Sequence, residues 1–166
     1  MALTEGDAAM SDPIAPSAAR TPAEVAKLVS VAVSDGDLEA AAAQYEVQAT
    51  LQPWAAPAEA GERTVRHWLA QLMELRLPVA VRVCSVLTAG DIALVLGERK
   101  ITGTGPDCQP VNLHGAGATV VRRQPGGEWR IAADAWRLAD PDRAGTGTDG
   151  TGPGGTGTDG AGAGPS

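Results

Sequence analysis

Two carboxylates in the second half of the sequence are the side chains best suited to acid/base chemistry. Glu98 and Asp134 each lie in a segment whose polarity alternates, as it does in a strand with one buried face. A carboxyl group on an apolar surface has a raised pKa, because desolvation disfavours its charged form. Such a group can donate or accept a proton near neutral pH, which is what general acid/base catalysis requires.

Turn positions predict which side chains share a face with these carboxylates. Gln124-Pro125-Gly126-Gly127 predicts a tight connection between strands at 111–123 and 129–136. Asp134 should then lie opposite Gly117, and the turn at 103–110 should bring Glu98 near Gly115. Side chains alternate along strands, so one face is predicted to carry Glu98, Gly115, Gly117, Thr119, Ala132, Asp134 and Trp136. The other face is predicted to carry Arg99, Asn112, His114 and Ile131.

Ion pairing is the competing interpretation of both carboxylates. Arg82, Lys100 or Arg130 could neutralise either one and leave it without a chemical role. The ion pair is the favoured interpretation for Glu98. For Asp134 the catalytic and ion-paired interpretations both stay open.

Three helices and a set of strands are predicted to position these residues. Thr21-Pro22-Ala23-Glu24 is typical of a helix start, and Gly36 of a helix end. Asp37 can cap a second helix that carries Tyr45, and a third helix ends before Pro78. Strands are predicted at 50–52, 79–87, 92–102, 111–123 and 129–136. Helices followed by a strand meander predict an α+β fold.

Composition limits the domain organisation and the partners. Of the 166 residues, we expect 19–142 to form one domain. Residues 1–18 and the Gly- and Thr-rich residues 143–166 are expected to be disordered tails. The net charge of −7 and the lack of a basic aromatic cluster argue against nucleic acid and acidic membranes as partners. No secretory signal or membrane span is recognisable, so a cytoplasmic location is expected. Two Cys, two His and no phosphate-binding loop predict neither metal nor cofactor.

The order of several short motifs resembles a known family. The motifs are Ser34-Asp35-Gly36-Asp37-Leu38, Ala49-Thr50-Leu51, Gly61-Glu62-Arg63 and Gly127-Glu128-Trp129-Arg130-Ile131. Across roughly residues 21–140 this order resembles the NTF2-like superfamily, which includes ketosteroid isomerase and the SnoaL-type polyketide cyclases. The resemblance implies a cone of three N-terminal helices packed on a curved antiparallel sheet, an apolar pocket, and often a homodimer.

The resemblance also implies roles for individual residues. The three catalytic positions of the isomerase fall on Val29, Pro53 and Thr119, so this chain lacks the groups for that mechanism. The acid/base Asp of the cyclases falls on Asp134. The expected substrate-binding residues are Trp136, Trp68, Trp54, Tyr45, Thr119 and Gly117. For the aromatic residues, ordinary core packing is the alternative.

Two functions follow from these expectations. The first is a small, cofactor-free cyclase or isomerase that acts on an apolar, carbonyl-bearing metabolite of polyketide type, with Asp134 and Glu98 as catalytic residues. The second is a non-catalytic module that binds a ligand or another protein. An open pocket with a lone buried carboxylate would favour the enzyme, whereas a filled pocket and an exposed apolar sheet face would favour the module.

Overall fold

The structure, a computed structural model, describes residues 18–53 and 56–139. Trp54 lies outside the described residues. So do residues 1–17 of the expected N-terminal tail and the whole expected C-terminal tail, 143–166. The helices are α1 (Pro22–Asp35), α2 (Leu38–Ala42) and α3 (Glu62–Glu74). The strands are β1 (Tyr45–Gln52), β2 (Glu59–Ala60), β3 (Val79–Ala89), β4 (Ile92–Thr104), β5 (Pro110–Arg123) and β6 (Trp129–Ala139).

Local sequence signals set the bounds of the first two helices. The Glu24 carboxylate accepts the Thr21 backbone N–H at 3.2 Å, which satisfies a donor at the start of α1. Gly36 ends α1 with a φ of 76°, a left-handed conformation that glycine adopts without strain. Asp37 then caps α2 by accepting the Ala40 N–H at 2.9 Å. These signals are strong because each satisfies backbone groups that a helix end would otherwise leave unpaired.

The strands form one six-stranded sheet in the order β2-β1-β6-β5-β4-β3. The β1–β6 pair is parallel and the other pairs are antiparallel. Irregularities between Val83 and Ser85 and between Val120 and Val121 bend the sheet. The α+β class with a curved sheet agrees with the expectation from the sequence. However, only α1 and α2 precede the sheet, because α3 follows β1 and β2.

The two faces of the sheet have different environments. The inner face packs against the helices, and the Ser30 hydroxyl of α1 donates a hydrogen bond to the Val79 carbonyl of β3. The side chains of this buried core include Val25, Leu51, Leu69, Ile101 and Trp136. The outer face carries exposed residues, such as Ala116 and Ala118 on β5. The inner face therefore holds any enclosed site, and the outer face is available for partners.

Candidate functional site

Asp134 lies at the centre of a buried polar network inside the cone. Its side chain is 0% exposed. One carboxylate oxygen accepts hydrogen bonds from Arg99 Nη2 at 2.9 Å and from the Thr119 hydroxyl at 2.7 Å. The other accepts from the Tyr45 hydroxyl at 3.0 Å and from Trp136 Nε1 at 2.6 Å. A carboxylate offers about four acceptor positions, so this one is saturated.

Arg99 is the member of the network that the sequence pattern missed. It was predicted on the face opposite Asp134, yet it is 5% exposed and forms an ion pair with Asp134 at 2.9 Å. In the structure Arg99 pairs across the sheet with Gly115, and Glu98 pairs with Ala116. The predicted register between β4 and β5 was wrong by one residue, and such an error exchanges the faces of a strand.

The register of β6 was also misplaced, without effect on the faces of Asp134 and Trp136, whereas Ile131, predicted on the outer face, is buried in the core next to Val121 beyond the irregularity at Val120/Val121. Asp134 pairs with Thr119 and Trp136 pairs with Gly117, whereas the turn had suggested Gly117 and Gly115. This offset is two residues, and a strand shifted by two keeps each side chain on its face. Asp134, Thr119, Gly117 and Trp136 therefore share the inner face, as predicted.

Glu98 lies on the outer face, so its predicted position beside Asp134 is wrong. Its carboxylate pairs with the Arg82 guanidinium at 2.7 Å, and both side chains are more than half exposed. The hydrogen bond and the positive charge of Arg82 lower the pKa of Glu98, which favours the carboxylate form. An exposed, paired carboxylate on this face has no route to the interior of the cone.

Gly117 on β5 makes room for the buried guanidinium, and Gly97 on β4 allows the backbone of β3 to approach closely. A Cβ atom on Gly117 would overlap Nη1 of Arg99, and a Cβ on Gly97 would meet the Arg82 carbonyl oxygen at 2.7 Å. Arg99 therefore lies over a strip without side chains, with its guanidinium carbon 4.1 Å from the Trp136 ring centroid. This cation–π contact adds to the ion pair.

Two of the predicted aromatic residues pack against each other in the core. The Trp68 and Trp136 rings make an edge contact, with their centroids 6.0 Å apart and their planes at 81°. Tyr45 also contributes, although it begins β1 rather than lying on the second helix. Of the predicted binding residues, Tyr45, Thr119 and Trp136 contact Asp134 directly. Trp68 contacts Trp136, and Gly117 lies against Arg99.

The Tyr45 hydroxyl is held as a neutral donor. Burial raises the pKa of Tyr45 well above its ordinary value, and the neighbouring Asp134 charge raises it further, while Arg99 opposes this effect in part. A phenol that stays protonated can donate to a carboxylate continuously.

Among the described residues, Arg99 borders two cavities. One has a volume of about 630 Å³ and is lined mostly by outer-face residues such as Arg82, Glu98 and His114. The other, beside α1, has a volume of about 10 Å³, and its other walls are Ala26, Val81, Val83, Val95, Gly97, Gly117 and Thr119. A drug-sized ligand needs a pocket of roughly 300–1,000 Å³. The cavity beside α1 is therefore too small to hold such a ligand.

Other classes of site find no support in the part of the chain that the structure describes. Within residues 18–53 and 56–139, no group of three or more His, Cys, Asp or Glu side chains is placed to hold a metal ion. His114 lies exposed on the outer face, as its strand parity predicted. Among the described helices, none has the length and apolar character needed to cross a bilayer.

The sequence contains a chemical signal for Arg99, whereas the polarity pattern of its strand is ambiguous. Leu94 and Leu96 alternate with Val95, Gly97 and Arg99, so both faces of β4 contain apolar residues and parity alone cannot orient the strand. The informative feature is chemical, because a buried Asp134 requires a cation. Lys100 lies on the outer face, which leaves Arg99 to meet this requirement on β4.

Comparisons with known proteins identify the fold. No protein-family model matches the sequence, and no curated protein matches it significantly. A ketosteroid isomerase-like protein from Erwinia carotovora atroseptica matches with 20% identity and a TM-score of 0.60, over 68% of this chain and 89% of that chain. A proposed dehydratase of the NTF2-like family from Streptomyces avermitilis matches with 18% identity and a TM-score of 0.60, over 68% and 90%.

A third solved structure carries a different kind of name. It is a proposed calcium/calmodulin-dependent protein kinase type II association domain from Thiobacillus denitrificans, with 15% identity and a TM-score of 0.59, over 72% of this chain and 95% of that chain. Proteins with unlike names thus share one backbone, and function depends on the site rather than on the fold. What the likeness shows is that this chain has the NTF2-like fold.

Proposed function

We propose that this chain is a non-catalytic interaction module that acts as a homodimer through the outer face of its sheet. The observation that carries the proposal is the saturation of Asp134 by four donors, beside a cavity of about 10 Å³. A general base must reach the proton that it removes at hydrogen-bond distance. Donors from the described residues occupy both oxygens of Asp134, which leaves no acceptor position for a substrate proton.

The middle of the outer face is apolar across four strands. Cross-strand pairing places Leu87, Leu94, Val120 and Ala133 in one row, and Leu96, Ala118 and Ala135 in the next. Leu87 is 58% exposed and Ile92, at the end of the same face, is 46% exposed. Contiguous apolar area of this kind on a sheet face is typical of an interaction surface. We call these two rows the apolar band.

Charged residues border the apolar band at both ends. One end carries the Arg82–Glu98 pair with Lys100 and Arg137, and the other end carries Arg122. An apolar centre with a polar rim is the usual anatomy of a protein interface. Four strands spaced about 4.8 Å apart and about 11 residues long give the outer face an area of roughly 700 Å². A standard interface buries about 800 Å² per partner.

A second copy of the chain is the occupant that this surface suits. In a two-fold interface the same patch meets itself, so an apolar band faces an apolar band without further requirements. Sedimentation of the full chain at micromolar concentration tests the proposal: a dimer is expected, and a monomer would contradict it.

A second candidate function keeps the expectation of an enzyme. In it, the chain is an acid/base isomerase or cyclase for a small apolar carbonyl compound of polyketide type. One observation favours it: Tyr45 is a buried neutral donor beside Asp134, in a fold shared with isomerase-like proteins. The network would have to open before a substrate could enter.

Tryptophan fluorescence distinguishes the two candidates. Trp68 and Trp136 are in contact inside the cone, so a ligand that enters must change their emission. Titration with a bicyclic aromatic ketone should produce no saturable change if the cone is a filled core. A saturable change that the Tyr45→Phe variant weakens would support the enzyme instead.

A further inference from the structure

Arg99 retains one buried donor without an acceptor. Its Nη2 group donates to Thr119 and to Asp134, both at 2.9 Å, and Nη1 makes a long contact of 3.5 Å with the Ala135 carbonyl. Nε–H has no hydrogen-bond partner among the described residues. Leaving a donor of a charged group unpaired in the interior is costly, so a partner for this N–H should exist.

The small cavity adjoins the same side chain. Arg99 and Thr119 are its polar walls, and the remaining walls, from Ala26 on α1 to Val95 on β4, are apolar or glycine. Its volume of about 10 Å³ is close to the least space that holds one water molecule, about 10–15 Å³. An entirely apolar cavity would stay dry, but two of the residues that line this one, Arg99 and Thr119, carry polar groups.

Glycine is what keeps this space free. Gly97 and Gly117 both line the cavity, and a Cβ atom on Gly117 would overlap the Arg99 guanidinium. The Thr119 oxygen donates one hydrogen bond to Asp134 and accepts one from Arg99, which leaves its second lone pair available.

We infer that the cavity is a binding site for one ordered water molecule, which accepts from Arg99 Nε–H and donates to Thr119 Oγ. The water completes the solvation of a guanidinium that the sheet has removed from bulk solvent. It is a structural member of the network, and it extends the network from Asp134 towards α1.

A high-resolution crystal structure of the full chain tests this inference directly. The expected result is a solvent peak within about 2.7–3.2 Å of both Nε and Thr119 Oγ. An empty cavity, or a guanidinium turned so that Nε–H meets a protein carbonyl, would overturn the inference.

A pair of variants tests it in solution. Val95→Ile adds one methyl group to the cavity wall, and Val121→Ile adds the same group at a buried position that does not line the cavity. If water occupies the site, Val95→Ile displaces it, strands Nε–H, and lowers the melting temperature more than Val121→Ile does. If the cavity is empty, Val95→Ile fills it, and its melting temperature equals or exceeds that of the control, which would overturn the inference.

Discussion

Asp134 keeps a negative charge in the core because its donors replace water. Each oxygen receives one hydroxyl and one N–H group, and neither the Arg99 nor the Trp136 N–H can accept a hydrogen bond in return. An Asn side chain at this position presents an NH₂ group towards one of these N–H donors, whichever way it is turned. It also leaves the Arg99 charge without a counter-ion.

We therefore expect Asp134→Asn to destabilise the fold by about 3–5 kcal/mol, the range for breaking a buried ion pair. Urea denaturation monitored by tryptophan fluorescence measures the change. Asp35→Asn is the matched control, because it makes the same substitution at an exposed position near the end of α1. Equal stability of the two variants would mean that the network contributes nothing, and the site would have to be reconsidered.

Tyr45 can be titrated alone because it is the single tyrosine of the chain. Burial and the Asp134 charge raise the pKa of its phenol above the ordinary value of about 10. Tyrosinate absorbance should therefore stay absent in the native protein at a pH where the urea-unfolded chain shows it. An ordinary titration in the native state would contradict the buried hydrogen bond to Asp134.

The same pKa shift predicts how stability changes with pH. Above about pH 10 the unfolded chain releases the phenol proton while the native state retains it, so the unfolded state binds fewer protons and native stability falls as pH rises. Below that pH the contribution is constant. Tyr45→Phe removes this component of the alkaline slope, which denaturation curves on the two proteins can compare.

At the scale of elements, helix ends and turns could be predicted, whereas strand faces could not be predicted reliably. Thr21, Gly36 and Asp37 signal their structure through local backbone chemistry. The face of β4 depends instead on its register with β5, a non-local pairing that the 13 residues of the strand do not encode. Glu98 was misplaced for this reason, while the even offset on β6 left Asp134 on its predicted face.

The packing of side chains around Asp134 could not be predicted from the sequence either. The residue types at Gly117, Thr119 and Trp136 were compatible with a pocket or with a core, since small residues leave space for a ligand and for a neighbouring side chain alike. The deciding fact is that Arg99 lies across Gly117, and this contact joins different strands. Sequence patterns specify which residues face inward better than they specify which of these fill the space.

A substitution in β5 tests the close packing of Arg99. Gly117→Ala places a methyl group where Arg99 Nη1 lies, so the guanidinium must move away from Asp134. We expect a loss of about 1–3 kcal/mol in unfolding free energy, as for other overpacked cores. Gly126→Ala is the control, because its new methyl group meets only the carboxylate of Glu128, a partly exposed side chain that can rotate away. Similar losses in both variants would show that Arg99 is free to move.

At the scale of the whole molecule, the sheet separates two kinds of surface. Its inner face packs against the helices and carries the Asp134 network, so the side chains on this face are buried and contribute to the stability of the fold. Its outer face carries the apolar band between two charged ends, and the described helices leave it uncovered. Stability and assembly can thus change independently, since a substitution on one face need not disturb the other.

The proposed dimer can be tested by adding a charge to the apolar band. Leu87→Glu places a carboxylate on the band, where a two-fold interface would bury it against the apolar band of the second copy. We expect a monomer at concentrations where the natural chain sediments as a dimer, with an unchanged circular dichroism spectrum. Val47→Glu is the matched control, because Val47 is 63% exposed, close to the 58% of Leu87, but lies on β1, away from the band. If both variants remain dimeric, the interface lies elsewhere on the molecule, and if both become monomeric, the effect is one of net charge.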